Sequence, residues 1–205
     1  MKSKKIIILI ACFILIIFSS FYFDSGIVKA VSTIRGEFLN ELFFGLTFVS
    51  SEIIIFFFLT SLFLWREHKR KWIFPLWFTL ALSAVMSFFL KFLIQRQRPF
   101  QLGIVSVPQI LEKASYFTWN FSFPSFQAML VFCAVPILSK EFRKFKYFWV
   151  IFAGLIAFSR VYFGLHFLSD VLAGGLIGYL LGWFVIKLEI DYKFGEKIYR
   201  GVFRK

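Results

Sequence analysis

The chain has 205 residues, of which 60% are hydrophobic, 22% are aromatic and only 17% are charged, and its formal net charge is +13. Soluble domains contain about 25% charged residues, so this composition excludes an ordinary water-soluble domain and indicates an integral membrane protein. The positive charge would suggest nucleic acid in a soluble protein, but in a membrane protein its location along the chain has to be considered first.

Six apolar runs follow one another along the chain, each near the roughly 20 residues that a membrane-spanning helix needs. They cover residues 6–23, 42–65, 72–95, 123–139, 147–163 and 166–186. The first run follows Lys2, Lys4 and Lys5. It is longer than the apolar part of a typical signal peptide and no cleavage site follows promptly, so we favour an uncleaved signal-anchor over a signal peptide. The sequence predicts an all-α fold, a single six-helix membrane domain over residues 1–205.

Basic residues concentrate on one side of this alternating arrangement. Seventeen of the 24 lie in the N-terminus, the loops 66–71 and 140–146, and the tail 187–205. By the positive-inside rule this side is cytoplasmic, so both termini are predicted to be cytoplasmic. The net charge is then explained without a nucleic-acid partner.

The opposite side carries cations at the ends of apolar spans, where an unpaired charge is costly. Lys91 and Arg98 are seven residues apart, so a helix continuing to Pro99 would present both on one face. Arg160 closes the fifth span. This grouping predicts an anionic ligand on the extracytoplasmic side.

Two further segments complete a candidate phosphoryl-transfer site. Pro124 and Ser125 begin the fourth span, where a hydroxyl and the free N–H groups of a helix N-terminus can hold an anion. His166 and Asp170 begin the sixth span and are four residues apart, so the carboxylate can hydrogen-bond one imidazole nitrogen and leave the other for chemistry. Cations, a helix N-terminus and an oriented histidine are typical of phosphoryl transfer.

These residues resemble, in order and spacing, the three-part signature of the type 2 phosphatidic acid phosphatase (PAP2) superfamily: Lys91-x6-Arg98-Pro99, then Pro124-Ser125, then Ser159-Arg160-x5-His166-x3-Asp170. The resemblance covers nearly the whole chain and implies the six-helix PAP2 bundle. It implies that His166 attacks phosphorus to form a phosphohistidine and that Asp170 orients it, with Pro99 and Ser159 in supporting positions and no metal or cofactor required. It further implies that the phosphoryl oxygens are bound by Lys91, Arg98, Ser125 and Arg160.

The second motif departs from the family pattern. The family has Pro-Ser-Gly-His, and its histidine is taken to protonate the leaving group, whereas this chain has Phe126 and Gln127 in the last two places. Glutamine donates hydrogen bonds but delivers no proton. General acid catalysis contributes typically about 10²–10⁴ in rate. A lipid alcohol needs this proton to leave as an alcohol, whereas a phosphate monoester, with a second pKa of about 6, can leave without one. We therefore expect a preference for lipid diphosphates, such as a polyprenyl diphosphate, over monophosphates such as phosphatidic acid.

Three functions are left open by the sequence: a lipid phosphatase, a phosphotransferase that uses the same site, and a relative that binds lipid phosphates without turnover. A transporter is disfavoured because the ionisable residues gather at one face. Glu52 is predicted mid-span, where it either supports the site or packs as a protonated residue. The other histidine, His68, is interpreted as a solvated residue of a cytoplasmic loop.

The remaining features have plainer interpretations. Cys12 and Cys133 lie in apolar runs and are predicted to be packing residues. Arg96 and Lys113 are interpreted as solvated charge near the site. A glycine stripe on the sixth span predicts close helix packing, and it consists of Gly174, Gly178 and Gly182. The outer loop, residues 97–122, is predicted to lie against lipid headgroups through the aromatic residues Phe117, Trp119 and Phe121.

Overall fold

The structure, a computed structural model, describes residues 2–111 and 121–203. Helices dominate the described residues, and none of these residues forms a strand. We label the helices α1 (Lys2–Thr33), α2 (Glu37–Val49), α3 (Glu52–Leu64), α4 (Ile73–Ile94), α5 (Phe126–Glu141), α6 (Phe145–Tyr162), α7 (Leu168–Tyr192) and α8 (Phe194–Phe203), with a short 3₁₀ helix at Glu67–Trp72. The predicted all-α fold is confirmed.

Helix α5 is the centre of the bundle and packs most extensively against α7. The glycine stripe of α7 faces α5: a Cβ added to Gly178 would lie 2.3 Å from the carbonyl oxygen of Met129, and one added to Gly174 would lie 2.5 Å from that of Ser125. Two helices approach this closely only where one of them lacks side chains. The stripe therefore packs inside the bundle, as predicted, and it sets the distance between Ser125 and the first turn of α7.

The outside of the bundle is apolar, as expected of a protein surrounded by lipid. Large side chains such as Phe57, Phe89 and Trp183 are more than half exposed. Within the described residues, four stretches are long and apolar enough to cross a membrane, and the pair α2 and α3 qualifies as a fifth if it is counted as one bent span. Helix α5, in the place of the fourth predicted span, has 16 residues. The predicted count of six spans stays a prediction, as does the orientation of the termini.

The first two predicted spans differ most from the helices of the structure. The first helix continues to Thr33, beyond the predicted end at residue 23, so the helical conformation extends past the end of the apolar run. The second span is broken between α2 and α3, with a bend of 66°. Ser51 caps the N-terminus of α3, where its Oγ accepts a hydrogen bond from the backbone N–H of Ile54 (3.5 Å). Glu52 therefore lies in the first turn of α3 rather than in the middle of a continuous helix, and an acidic residue there complements the helix dipole.

Three of the four basic segments meet at one end of the bundle. The Lys69 ammonium donates to the carbonyl oxygen of Glu141 and lies 3.8 Å from the ring centroid of Phe142. Gly195, at the start of α8, packs against Pro75 at the start of α4. The loops 66–71 and 140–146 and the C-terminal tail thus share one end, and the candidate site residues lie at the other.

Candidate active site

The predicted site residues converge from four helix ends and two connecting segments. Lys91 lies in the last turn of α4, Ser125 is the N-cap of α5, and Arg160 lies in the last turn of α6. His166 precedes α7, and Asp170 lies in its first turn. Each of these five residues is less than 10% exposed. The distant motifs of the sequence therefore form one buried polar cluster.

Arg98 joins this cluster by a route that differs from the prediction. Helix α4 ends at Ile94, and Gln95 adopts a left-handed conformation (φ 50°), so Lys91 and Arg98 do not share a helical face. The loop instead brings the Arg98 guanidinium to the carbonyl oxygen of Leu165, with an Nη1–O distance of 3.2 Å. The charges of Lys91, Arg98 and Arg160 all act on the imidazole of His166.

A tight turn between α6 and α7 places His166 in the cluster. Its backbone N–H and that of Leu165 both donate to the carbonyl oxygen of Arg160, at 3.2 and 3.0 Å. Gly164 has φ +70°, and a Cβ there would lie 2.3 Å from a methyl carbon of Val105. Glycine is the residue that adopts this conformation without strain. The turn therefore depends on Gly164.

The imidazole of His166 is oriented by a backbone carbonyl. Its Nδ1 lies 2.7 Å from the carbonyl oxygen of Ser122 and 3.8 Å from Oδ2 of Asp170. The predicted direct hydrogen bond from the imidazole to Asp170 is therefore wrong. A carbonyl oxygen only accepts, so Nδ1 carries the hydrogen of the neutral ring and Nε2 keeps its lone pair.

Asp170 acts on His166 through Ser122. Its Oδ2 accepts from the Ser122 hydroxyl and from the backbone N–H of Phe167 (2.8 Å), while Oδ1 accepts from Nη1 of Arg96 (2.7 Å). These bonds displace the imidazole from the carboxylate. Asp170 therefore positions Ser122, and the carbonyl oxygen of Ser122 positions the imidazole of His166.

The electrostatics keep the His166 imidazole neutral. Burial, followed by the charges of Arg98, Lys91 and Arg160, lowers the pKa of His166 well below its ordinary value of 6.5. Burial also lowers the pKa of Arg98, but only to about 10, so this guanidinium stays charged at neutral pH. A neutral imidazole beside cations is suited to attack an electrophile that carries negative charge.

Two buried polar groups in the cluster are free to accept a ligand. Within residues 2–111 and 121–203, the Oγ of Ser125 and the Nε of Arg160 have no hydrogen-bond partner. A buried polar atom without a partner costs free energy. Ser125 donates its backbone N–H to the carbonyl oxygen of Asp170 (3.0 Å), which fixes the residue but leaves its hydroxyl free. Both groups fit the oxygens of a phosphoryl group.

Gln127 follows in the first turn of α5 and contacts the carboxylate of Glu52. Its Nε2 lies 3.4 Å from Oε1 of Glu52, and both side chains are half-buried. The carboxylate of Glu52 also interacts electrostatically with Arg160. Of the two interpretations left open for Glu52, the structure favours a place beside the site over simple packing.

Three residues around the site were missed or misjudged from the sequence. Arg96 was interpreted as solvated charge, and this is wrong: its side chain is 20% exposed and pairs with Asp24 and Asp170, each at 2.7 Å. Asp24 lies in α1, beyond the predicted end of the first span, and is 2% exposed. It also contacts Ser169. A carboxylate just past an apolar run was the one signal in the sequence, but its partner lies 72 residues away.

The other predicted positions have local roles. The hydroxyl of Ser159 donates to the carbonyl oxygen of Ile156 (2.7 Å) within α6, and Pro99 accepts from the backbone N–H of Ile104 (3.1 Å) in a loop turn. His68 is exposed, as predicted. The carbonyl oxygen of Phe121 accepts a hydrogen bond from the Lys91 ammonium (2.5 Å). Lys113, Phe117 and Trp119 lie outside the described residues.

Sequence comparison relates the chain to known phosphatases. The model of the PAP2 superfamily matches residues 72–192. The chain is 31% identical over 192 residues to "Phosphatidylglycerophosphatase B" of Bacillus subtilis, covering 86% of this chain and 85% of that protein. It is 29% identical over 131 residues to an "Undecaprenyl-diphosphatase" of Sulfolobus acidocaldarius, covering 63% and 61%.

Solved structures share the fold. The transmembrane PAP2-type phosphatidylglycerolphosphate phosphatase of Bacillus subtilis has a TM-score of 0.69 and 24% identity, covering 91% of this chain and 96% of that one. The LpxE of Aquifex aeolicus has a TM-score of 0.66 and 26% identity, covering 80% and 94%.

Proposed function

The chain belongs to the PAP2 superfamily, and from this premise we propose that it hydrolyses a lipid-linked diphosphate through a phosphohistidine at His166 on the extracytoplasmic face of the membrane. The family membership and the relatives make the chain a PAP2-type lipid phosphatase. The observation that carries the finer proposal is the free Nε2 face of a neutral His166 beside three buried cations.

In the proposed first step, the lone pair on Nε2 of His166 attacks phosphorus. The bond from phosphorus to the bridging oxygen breaks, and its electron pair leaves with that oxygen. In this proposal the phosphoryl oxygens are held by the guanidinium of Arg160, the hydroxyl of Ser125 and the N-terminus of α5, and the unpartnered Nε and Oγ atoms support these roles. Lys91 and Arg98 add positive charge that stabilises the transition state.

In the second step, water attacks the phosphohistidine. The N–P bond breaks, its electron pair returns to Nε2 of His166, and inorganic phosphate leaves after the water loses a proton to the medium or to the phosphate itself. Replacing this water by a second lipid or sugar hydroxyl would give the phosphotransferase reaction with the same residues.

The preference for a diphosphate follows from Gln127. A monophosphate ester must expel an alkoxide whose conjugate acid resembles water, with a pKa of about 15.7. A diphosphate expels a lipid monophosphate, whose second pKa is about 6, so it leaves without a proton. The amide of Gln127 points to Glu52 and has no acidic proton to give. The missing general acid is worth about 10²–10⁴ in rate, or roughly 3–5 kcal/mol.

The side of the membrane follows from the charges. The basic segments 66–71 and 140–146 lie at the end of the bundle opposite to His166. Because basic loops stay in the cytoplasm, we assign the site to the extracytoplasmic face.

The test is phosphate release by the purified protein in detergent from a polyprenyl diphosphate and from phosphatidic acid, with His166→Ala as the control variant. We expect release from the diphosphate to be at least about 10²-fold faster, from the general-acid contribution, and to disappear in the variant. Equal turnover of the two lipids would refute the leaving-group argument. No release above the control from either lipid would instead favour a protein that binds lipid phosphates without turnover.

A further inference from the structure

Helix α1 contributes a buried carboxylate to the surroundings of the site. Asp24 is 2% exposed, and both of its oxygens are engaged: Oδ1 accepts from the backbone N–H of Ser169 (3.0 Å), while Oδ2 accepts from Nη2 of Arg96 (2.7 Å) and from the Ser169 hydroxyl. A carboxylate this deeply buried is tolerated only when it is paired. The family match covers residues 72–192, so Asp24 lies outside it.

Arg96 connects this carboxylate to the one beside His166. Its Nη1 donates to Oδ1 of Asp170 (2.7 Å) and to the Ser169 hydroxyl (2.6 Å), and its guanidinium lies 4.0 Å from the ring centroid of Phe167. Three of its five N–H donors, two on Nη1 and one on Nη2, are therefore committed to protein groups. Arg96 is a bridge between two carboxylates rather than a fourth cation for the substrate.

The bridge reaches the imidazole through Ser122. The backbone N–H of Ser122 donates to the carbonyl oxygen of Arg96 (2.7 Å), and its hydroxyl donates to Asp170. The carbonyl oxygen of Ser122 in turn accepts from Nδ1 of His166 (2.7 Å). Both Arg96 and Asp170 thus hold the peptide that orients the imidazole.

We propose that Asp24 of α1 is a positioning residue of the phosphatase, which acts through Arg96, Asp170 and Ser122 to hold His166 in line for attack. This inference rests on the proposed role of His166 as nucleophile. Through Asp24, helix α1 contributes to the geometry of the site and is not only a membrane anchor. Loss of Asp24 leaves Arg96 with one carboxylate, so its guanidinium is free to turn and Asp170, which holds the Ser122 hydroxyl, loses a fixed partner.

The test is Asp24→Asn, which keeps the size of the side chain but places an amide N–H₂ against a donor of either Arg96 or Ser169. A misplaced catalytic group commonly costs about 10²-fold. We therefore expect kcat, and the single-turnover rate of phosphohistidine formation, to fall by about that factor while KM changes less than about threefold, since substrate-binding groups are untouched. The matched control is Asp191→Asn, the same substitution at an exposed residue near the far end of α7.

Two further variants separate positioning from folding. Ser169→Ala removes one hydroxyl from the network and is expected to lower kcat by about tenfold, a smaller part of the same misplacement, with an unchanged thermal midpoint. The double variant Asp24→Asn with Arg96→Gln is expected to lose no more kcat than Arg96→Gln alone, because groups that act in one chain are not additive.

An unchanged kcat in correctly folded Asp24→Asn, or additive losses in the double variant, would overturn the inference. If Asp24→Asn does not fold, an unchanged kcat in Ser169→Ala overturns it instead. Activity that survives His166→Ala would mean that the proposed function itself is wrong. The failures of the two proposals are therefore distinguishable.

Discussion

Replacing Gln127 by histidine restores a proton donor at the position where this chain lacks one. The side chain lies in the first turn of α5, half-buried, with its amide 3.4 Å from Oε1 of Glu52. A histidine there would donate one ring N–H to Glu52, and its other nitrogen would be available to protonate a leaving oxygen. Orientation by a carboxylate raises the basicity of an imidazole and fixes its tautomer.

The expected gain is selective for monophosphates. A general acid contributes about 10²–10⁴, or roughly 3–5 kcal/mol of barrier. The contact with Glu52 is at the long end of hydrogen-bond distances, so we expect the lower part of this range, about 10²-fold, for phosphatidic acid. For a polyprenyl diphosphate we expect a change of less than about fivefold, because its phosphate leaving group already departs without a proton.

The assay is the ratio of kcat/KM for phosphatidic acid and the polyprenyl diphosphate, measured on one preparation so that the folded fraction cancels. Gln127→Asn is the matched control, since it keeps an amide and adds no acid. The leaving-group reasoning is refuted if Gln127→His accelerates both substrates equally, or if Gln127→Asn shifts the ratio as much as the histidine does.

Four other outcomes are expected. Gly178→Ala should lower the thermal midpoint, because the added Cβ would lie 2.3 Å from the Met129 carbonyl oxygen and overpacking costs about 1–3 kcal/mol. The control is Gly154→Ala, whose added Cβ meets no atom within 4 Å. Equal midpoints for the two variants would contradict the packing argument. Arg160→Gln should lower kcat/KM by about 10²–10³ through loss of a buried donor to the transition state, and a loss under about threefold would remove Arg160 from the site. The acidic limb of kcat/KM should lie below pH 6.5, because the lowered pKa of His166 preserves the neutral imidazole there. Arg98→Gln should move this limb upward, since it removes one of the charges that lower the pKa, and an unmoved limb would assign it to another group.

Motif residues were predictable because each carries its chemistry in its type and its local spacing. The hydropathy of the sequence locates the ends of helices, and four of the motif residues lie at such ends: Lys91, Ser125, Arg160 and His166. The prediction that these ends share one face of the bundle needed only alternating spans. The structure brings all four together in one buried cluster.

Contacts between distant segments were not predictable in the same way. Arg96 has no periodic partner, and its two carboxylates lie 72 residues before and 74 residues after it. The break between α2 and α3 depends on a capping serine inside an otherwise apolar run, a signal too short to override hydropathy. The hydrogen bond from His166 to a backbone carbonyl uses no side-chain identity, so no residue type could have indicated it.

The carboxylates and the cations place opposite demands on His166, and the structure meets both. Before attack, three cations and burial keep the imidazole neutral, so that its lone pair is available. After attack in the proposed mechanism, the phosphorylated ring with its Nδ1–H would bear positive charge, which the same cations would oppose. Asp170 lies 3.8 Å from Nδ1, where one unit of negative charge stabilises one of positive by on the order of 4 kcal/mol at an effective dielectric constant near 20. With both carboxylates ionised, Arg96 between Asp170 and Asp24 leaves that group with one net negative charge, so Asp24 preserves the charge that the proposed phosphohistidine requires.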